Sequence, residues 1–163
     1  MQNSGDIIID KKGSALMRWR SPFFRRRRLQ VVPKLAVPVG REAFALGTRP
    51  DENTNVPGHD LEHAGLCLMI VNAGIDPVTV GEIGLMGRFG RPRVVMRDPQ
   101  VPDGRGWPRR LRAGESVITY FPGELRRHHL LNQMRYVFAQ TDDGRTDTGR
   151  SPAVSWFIRH LPK

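Results

Sequence analysis

Cysteine is almost missing from this chain: Cys67 stands alone among 163 residues. No intramolecular disulfide can form, and cysteine-built zinc sites are excluded. Cys67 falls inside an apolar run, so it reads as a small buried hydrophobe, not a reactive thiol. Long apolar runs are also lacking. No segment approaches the ~18 residues that a membrane-spanning helix needs. A secretory leader lacks its apolar centre too, because Ala15-Leu16-Met17 is followed at once by Arg18-Trp19-Arg20. The expectation is a chain that stays inside the cell or is packaged in an assembly. Acidic residues are absent from positions 11–34, which carry nine basic ones.

The charge is unevenly spread. Of the net +10, residues 35–163 contribute only +3 through seventeen basic and fourteen acidic groups. Basicity therefore belongs mainly to an N-terminal arm, residues 1–30, which lacks sustained periodicity and reads as a flexible tail. Pro22 breaks any helix there, and Arg25 to Arg28 repel one another in a compact state. Arginine outnumbers lysine 22 to 4, a mark of GC-rich coding more than of mechanism.

What is present is strand grammar. The stretch Cys67 to Val80, CLMIVNAGIDPVTV, reads as strand, turn, strand: β-branched runs are punctuated by Asn, Gly, Asp and Pro. Ala64 to Asn72 is predicted as a central strand. Pro77 to Met86 follows, with Val78, Val80, Ile83 and Leu85 as its core face. Short strands are expected around Val94-Val95-Met96, Val117 to Phe121, Tyr136 to Gln140 and Val154 to Ile158, with a tight turn at Asp142-Asp143-Gly144-Arg145. Leu29 to Val39 is β-rich, but Pro33 and Pro38 predict an edge strand. Residues 40–63 read as a long loop, and Pro122 to about Gln133 as the one short helix. Seventeen glycines and thirteen prolines suit short strands joined by turns better than a helical bundle. The expected architecture is mainly β: an immunoglobulin-like antiparallel sandwich of about seven or eight strands over residues 31–163.

Several residues carry a recognisable pattern: Val71, Asn72, Gly74, Pro77, Val78, Thr79 and Val80; Trp107-Pro108; Leu111, Gly114, Glu115 and Ser116; and Val137, Ala139, Asp143, Gly144 and Arg145. Over roughly residues 65–150 this pattern resembles a group of small immunoglobulin-like proteins of actinobacteria, related high-GC bacteria and their phages. Members of that group often place a transmembrane helix before the sandwich; here a polybasic, aromatic segment takes its slot. The resemblance implies the fold and brings no activity with it; the expected cytoplasmic or virion-associated setting rests instead on the lack of a leader and of a long apolar run.

Candidate sites are few. His59-Asp60-Leu61-Glu62-His63 spells the inverted zinc-protease string, in which two histidines one helical turn apart hold the metal and the Glu activates water. Pro57-Gly58 before it and a strand after it leave little room for that helix, so a solvated loop is favoured and a zinc metallohydrolase using His59 and His63 is a remote alternative. Arg126-Arg127-His128-His129 reads as cations near a helix C-terminus. Asp142, Asp143 and Asp147 lack the alternating acids and closing Glu of a calcium loop. Gly81, Gly84, Gly87 and Gly90 have neither dinucleotide-loop nor phosphate-loop spacing. Ser116, Ser151 and Ser155 have no nucleophile-elbow context. No cofactor, small-molecule substrate or catalytic set is indicated.

The basic residues hold more. Arg18, Trp19, Arg20, Phe23, Phe24, Arg25, Arg26, Arg27 and Arg28 interleave cations with aromatics, which suits pairing with phosphate and stacking or interfacial insertion. A second group, Arg88, Arg91, Arg93, Arg97, Arg105, Arg109, Arg110 and Arg112, faces only Asp98 and Asp103 over the same span. If loops gather it at one end of the sandwich, it forms a basic patch, with Arg109, Arg110 and Arg112 the residues chosen from it. The expectation is a non-catalytic interaction or structural module, such as a phage virion component, recruited to a protein partner or assembly through its basic arm. The alternative is a sequence-nonspecific nucleic-acid binder, and an anionic membrane surface is a further possible target.

Overall fold

The computed structural model describes residues 7–10, 29–39, 43–49, 64–96, 98–121, 125 and 127–160. They form ten strands and one α-helix: β1 (Ile7–Asp10), β2 (Leu29–Val39), β3 (Ala43–Gly47), β4 (Gly65–Asn72), β5 (Val78–Gly87), β6 (Arg93–Met96), β7 (Arg109–Leu111), β8 (Ser116–Tyr120), β9 (Met134–Thr141), β10 (Thr146–Gly149) and α1 (Pro152–Arg159). One sheet has the order β1-β3-β2-β4-β8. The other runs β10-β9-β5-β6, with β7 also paired to β5. All pairings are antiparallel.

Period-two alternation sends one face of each sheet into a shared core. Leu66, Leu68 and Ile70 of β4 meet Val78, Val80, Ile83 and Leu85 of β5 and Val137 and Ala139 of β9 there. The alternate residues of β4 are apolar as well. Cys67 and Met69 join Ala36, Leu46 and Ile118 in a second buried cluster on the other side of the first sheet. Burial on both faces explains why the run Leu66–Val71 is unbroken rather than alternating. Cys67 is fully buried, as its apolar context implies. Burial pushes its thiol pKa up to about 12, even with Lys34 beside it favouring the thiolate.

Four expectations need correction. First, β2 is an interior strand, between β3 and β4. It pairs with β4 over Leu29–Ala36 and with β3 only over Leu35–Val39. Pro33 and Pro38 thus each sit where a single flank is paired, so proline's missing donor is tolerated without a true edge.

Second, Val154–Ile158 is helix, not a closing strand. Ser151 caps α1, accepting from Ala153 N at 3.2 Å, and Pro152 occupies the first turn, where no N–H is needed. Ala153, Val154 and Phe157 recur on one face and enter the core. Ser151 Oγ also donates to the Pro33 carbonyl at 2.8 Å and pins the helix start to β2.

Third, the described part of 122–133 holds 3₁₀ turns. The bonds His128 N to Leu125 O, Leu131 N to His128 O and Gln133 N to Leu130 O span three residues each. Fourth, part of the 40–63 stretch is strand β3, and the rest of it from residue 50 to 63 lies outside the described residues. Within the N-terminal arm, residues 7–10 pair with β3, while residues 11–28 lie outside the described residues.

Candidate anion-binding site

The site grows from β7. Its three residues pair with the start of β5, Leu111 with Val78, Arg110 with Thr79 and Arg109 with Val80. Leu111 enters the core, so its neighbours Arg110 and Arg112 are held at the surface. On one side the chain is fixed by Asn72, the asparagine of the Val71-Asn72-Ala73-Gly74 string. Its buried Nδ2 donates to the carbonyls of Asp76 (2.8 Å) and Leu111 (3.1 Å), and its Oδ1 accepts from Gly74 N at 3.0 Å. The backbone of Asn72 bonds Glu115 and Gly114 as well. One side chain therefore ties the β4–β5 turn to the turn that follows β7.

Gly114 takes a positive φ of 77° in that second turn, a conformation glycine adopts without strain. Glu115 Oε2 accepts from Arg112 N at 2.7 Å. The L-x-x-G-E-S pattern is thus a folding device: a core anchor, a left-handed turn and a carboxylate closing it. Trp107 plays a comparable part, donating from Nε1 to the Gly81 carbonyl at 2.9 Å while its ring packs against the core.

Between these fixtures lies an open groove of about 850 Å³ lined by Arg105, Trp107, Pro108, Arg110, Arg112 and Glu115, with Arg109 and Pro77 beside them. Arg109 is spent internally. Its Nη2 donates to Asp103 Oδ2 at 2.6 Å, and both side chains are largely buried, at 12% and 22% exposure. Asp103 also accepts from Arg105 N at 3.0 Å. Arg105, Arg110 and Arg112 are exposed and make no ion pair among the described residues. Three unneutralised guanidinium forks around one groove can take phosphate or carboxylate oxygens bidentately. The lining offers no pair of nucleophile and base.

The basic group predicted as one patch is therefore divided. Arg105, Arg109, Arg110 and Arg112 gather at the start of β5. Arg88, Arg91 and Arg93 lie at its far end, where β5 turns into β6. Arg109 lies opposite Val80 and Arg93 opposite Met86, so the two groups are roughly 20 Å apart along β5. Arg97, the arm residues Arg18, Trp19, Arg20, Phe23, Phe24, Arg25, Arg26, Arg27 and Arg28, and the pair His59 and His63 lie outside the described residues. Among the described residues, no group of three or more His, Cys, Asp or Glu side chains could hold a metal ion. His128 and His129 stack on each other at 4.9 Å, and His128 Nδ1 accepts from Leu130 N. Asp142 to Arg145 make the expected tight turn, with Thr141 N bonded to Arg145 O and Gly144 at φ 81°.

Sequence reading missed Phe89. It sits in the left-handed region (φ 64°, ψ 23°), followed by Gly90 at φ 79°. Two successive positive φ values are what type I′ hairpin turns require, and such turns favour Asn-Gly. The string Arg88-Phe89-Gly90-Arg91 shows the glycine in place and a bulky residue where a small polar one belongs, a signal that was available.

Comparison with protein-family models, with curated proteins and with solved structures returned no match. The groove must be interpreted by its own chemistry.

Proposed function

We propose that the chain is a non-catalytic interaction module of the immunoglobulin-like sandwich type, which docks on a polyanionic partner through Arg105, Arg110 and Arg112. The observation that carries this reading is the groove itself: three exposed arginines converge on it, and its one carboxylate, Glu115, is engaged by a backbone N–H. Two antiparallel sheets sharing one core support the fold part of the proposal. The basic segment 11–28 supplies a second cationic contact with the same partner, and a place in a larger assembly such as a virion fits a module that binds without reacting. Arg109, committed to Asp103, positions the groove and does not contact the partner.

Nucleic acid is the polyanion whose signature is sharpest. Each phosphate neutralised releases counterions, so the slope of log K against log salt counts the contacts. In the full chain, replacing Arg105, Arg110 and Arg112 together with Gln should weaken binding to a duplex oligonucleotide. The salt slope should fall by about two to three units if each arginine meets one phosphate. Loss of binding to polyglutamate with no change towards the oligonucleotide assigns the groove to an acidic protein instead. Unchanged affinity for both sinks the groove reading.

A further inference from the structure

The β5–β6 hairpin ends in Arg88-Phe89-Gly90-Arg91, and the Phe89 side chain is 91% exposed. Two things oppose a phenylalanine there. Its left-handed backbone is one that bulky side chains rarely adopt, and its exposure leaves the ring in water. The ring has the Arg88 guanidinium 5.2 Å from its centroid, a contact that hides little of it. A residue disfavoured locally and unrewarded by the fold points to an occupant from outside.

The surrounding chemistry narrows that occupant. Arg88 and Arg91 flank the ring and are exposed, without an acidic partner among the described residues. Arg93, one step behind, is held in place: Nη2 donates to Gln140 Oε1 at 2.9 Å, the guanidinium lies 4.1 Å above the Phe138 ring, and Glu82 is 3.9 Å away. The tip is convex and led by a single aromatic, so it offers no platform on which successive bases could stack. Four residues also fall far short of the roughly 800 Å² per side that a stable protein interface buries. A lipid surface needs neither, because it deforms around a protruding side chain.

We propose that this hairpin tip is a membrane contact: Phe89 enters the interface of an anionic bilayer while Arg88 and Arg91 pair with lipid phosphates. The contact is independent of the arginine groove, which occupies the opposite end of β5.

The test uses the full chain. Cys67 is fully buried with a raised pKa, so Phe89→Cys supplies one accessible thiol for an environment-sensitive fluorophore. With phosphatidylcholine vesicles containing phosphatidylserine, the label should shift to the blue and be quenched by lipids spin-labelled near the headgroup. Vesicles of phosphatidylcholine alone should produce far less of either. Separately, Phe89→Asn should weaken sedimentation with the anionic vesicles by roughly tenfold, the size of one buried phenyl. Its thermal midpoint should hold or rise, since Asn suits the left-handed turn. The proposal is overturned if the protein sediments while the label stays in water, or if Phe89→Asn binds as the parent does. A label that responds to an oligonucleotide and not to vesicles also overturns it, and gives the tip to nucleic acid.

Discussion

The two ends of β5 use arginine in the same way, and the parallel separates structural cations from available ones. At the start of the strand, Arg109 is buried against Asp103, leaving Arg105, Arg110 and Arg112 open. At the far end, Arg93 lies over Phe138 and reaches Gln140 and Glu82, leaving Arg88 and Arg91 open. In each cluster one guanidinium belongs to the fold and its neighbours face solvent. The locks differ in kind. Arg109 is held by a short ion pair largely shielded from water, whereas Arg93 is held by a ring face and more exposed polar groups.

The largest effect expected from breaking this comparison is at Gly84→Ala. A Cβ there would stand 2.9 Å from Phe138 Cε1 and would run into the Val94 carbonyl. The change would displace the ring under Arg93 and strain β5 against β6. Overpacking against backbone should cost about 3 kcal/mol in urea unfolding, and the start of β5 should keep its groove.

Next comes the shielded lock. Arg109→Gln strands Asp103 without its cation and should cost about 1–2 kcal/mol. Arg93→Gln, with an exposed Glu82 partner and one cation–π contact, should cost about 0.5–1 kcal/mol. Equal losses in chemical denaturation would show that the two locks do not differ.

Alkaline pH sharpens the contrast further, because arginines keep their charge while other groups titrate. The folded-state pKa of Cys67 is raised from 9.0 to about 12, and that of Tyr120 is raised by burial with Cys67 nearby. A raised pKa means the folded state holds its proton longer than the unfolded one. The stability tied to these groups is intact below pH 9 and declines as pH climbs toward 12. The urea midpoint should fall over that window in the parent and fall less in Cys67→Ala; an identical fall would show that Cys67 is not its source. The smallest effect belongs to Arg110→Gln and Arg112→Gln, which should leave stability within about 0.5 kcal/mol. A loss above that would mean they belong to the fold.

Legibility followed the same division. The β4–β5 unit was readable because Asn72, Gly74 and Pro77 punctuate two β-branched runs, and each local preference agrees with its place in the sheet. The prolines of Leu29–Val39 suggest an edge, but proline constrains only one flank: a strand paired with β4 along one part and with β3 along the other satisfies it from inside. Val154–Ile158 has the apolar content of a strand, whereas Ser151-Pro152 and the spacing of Val154, Phe157 and Ile158 carry a helix start and one helical face. The arginine count of positions 88–112 was plain, but which of them are neutralised was not. Nothing local marks Arg109 for Asp103 or Arg93 for Phe138 and Gln140.

By itself, then, the order of residues settled what is decided over short distances: the β character, the turns at Asn72–Pro77 and Asp142–Arg145, and the burial of Cys67 within an apolar run. Tertiary structure decided where β2 lies, which arginines share a groove, and that a phenylalanine stands bare at a hairpin tip. The reason is range. Turn and strand preferences act over a few neighbouring residues, whereas partnership between charges, and the flank of a strand that lies open, depend on residues that only folding brings together.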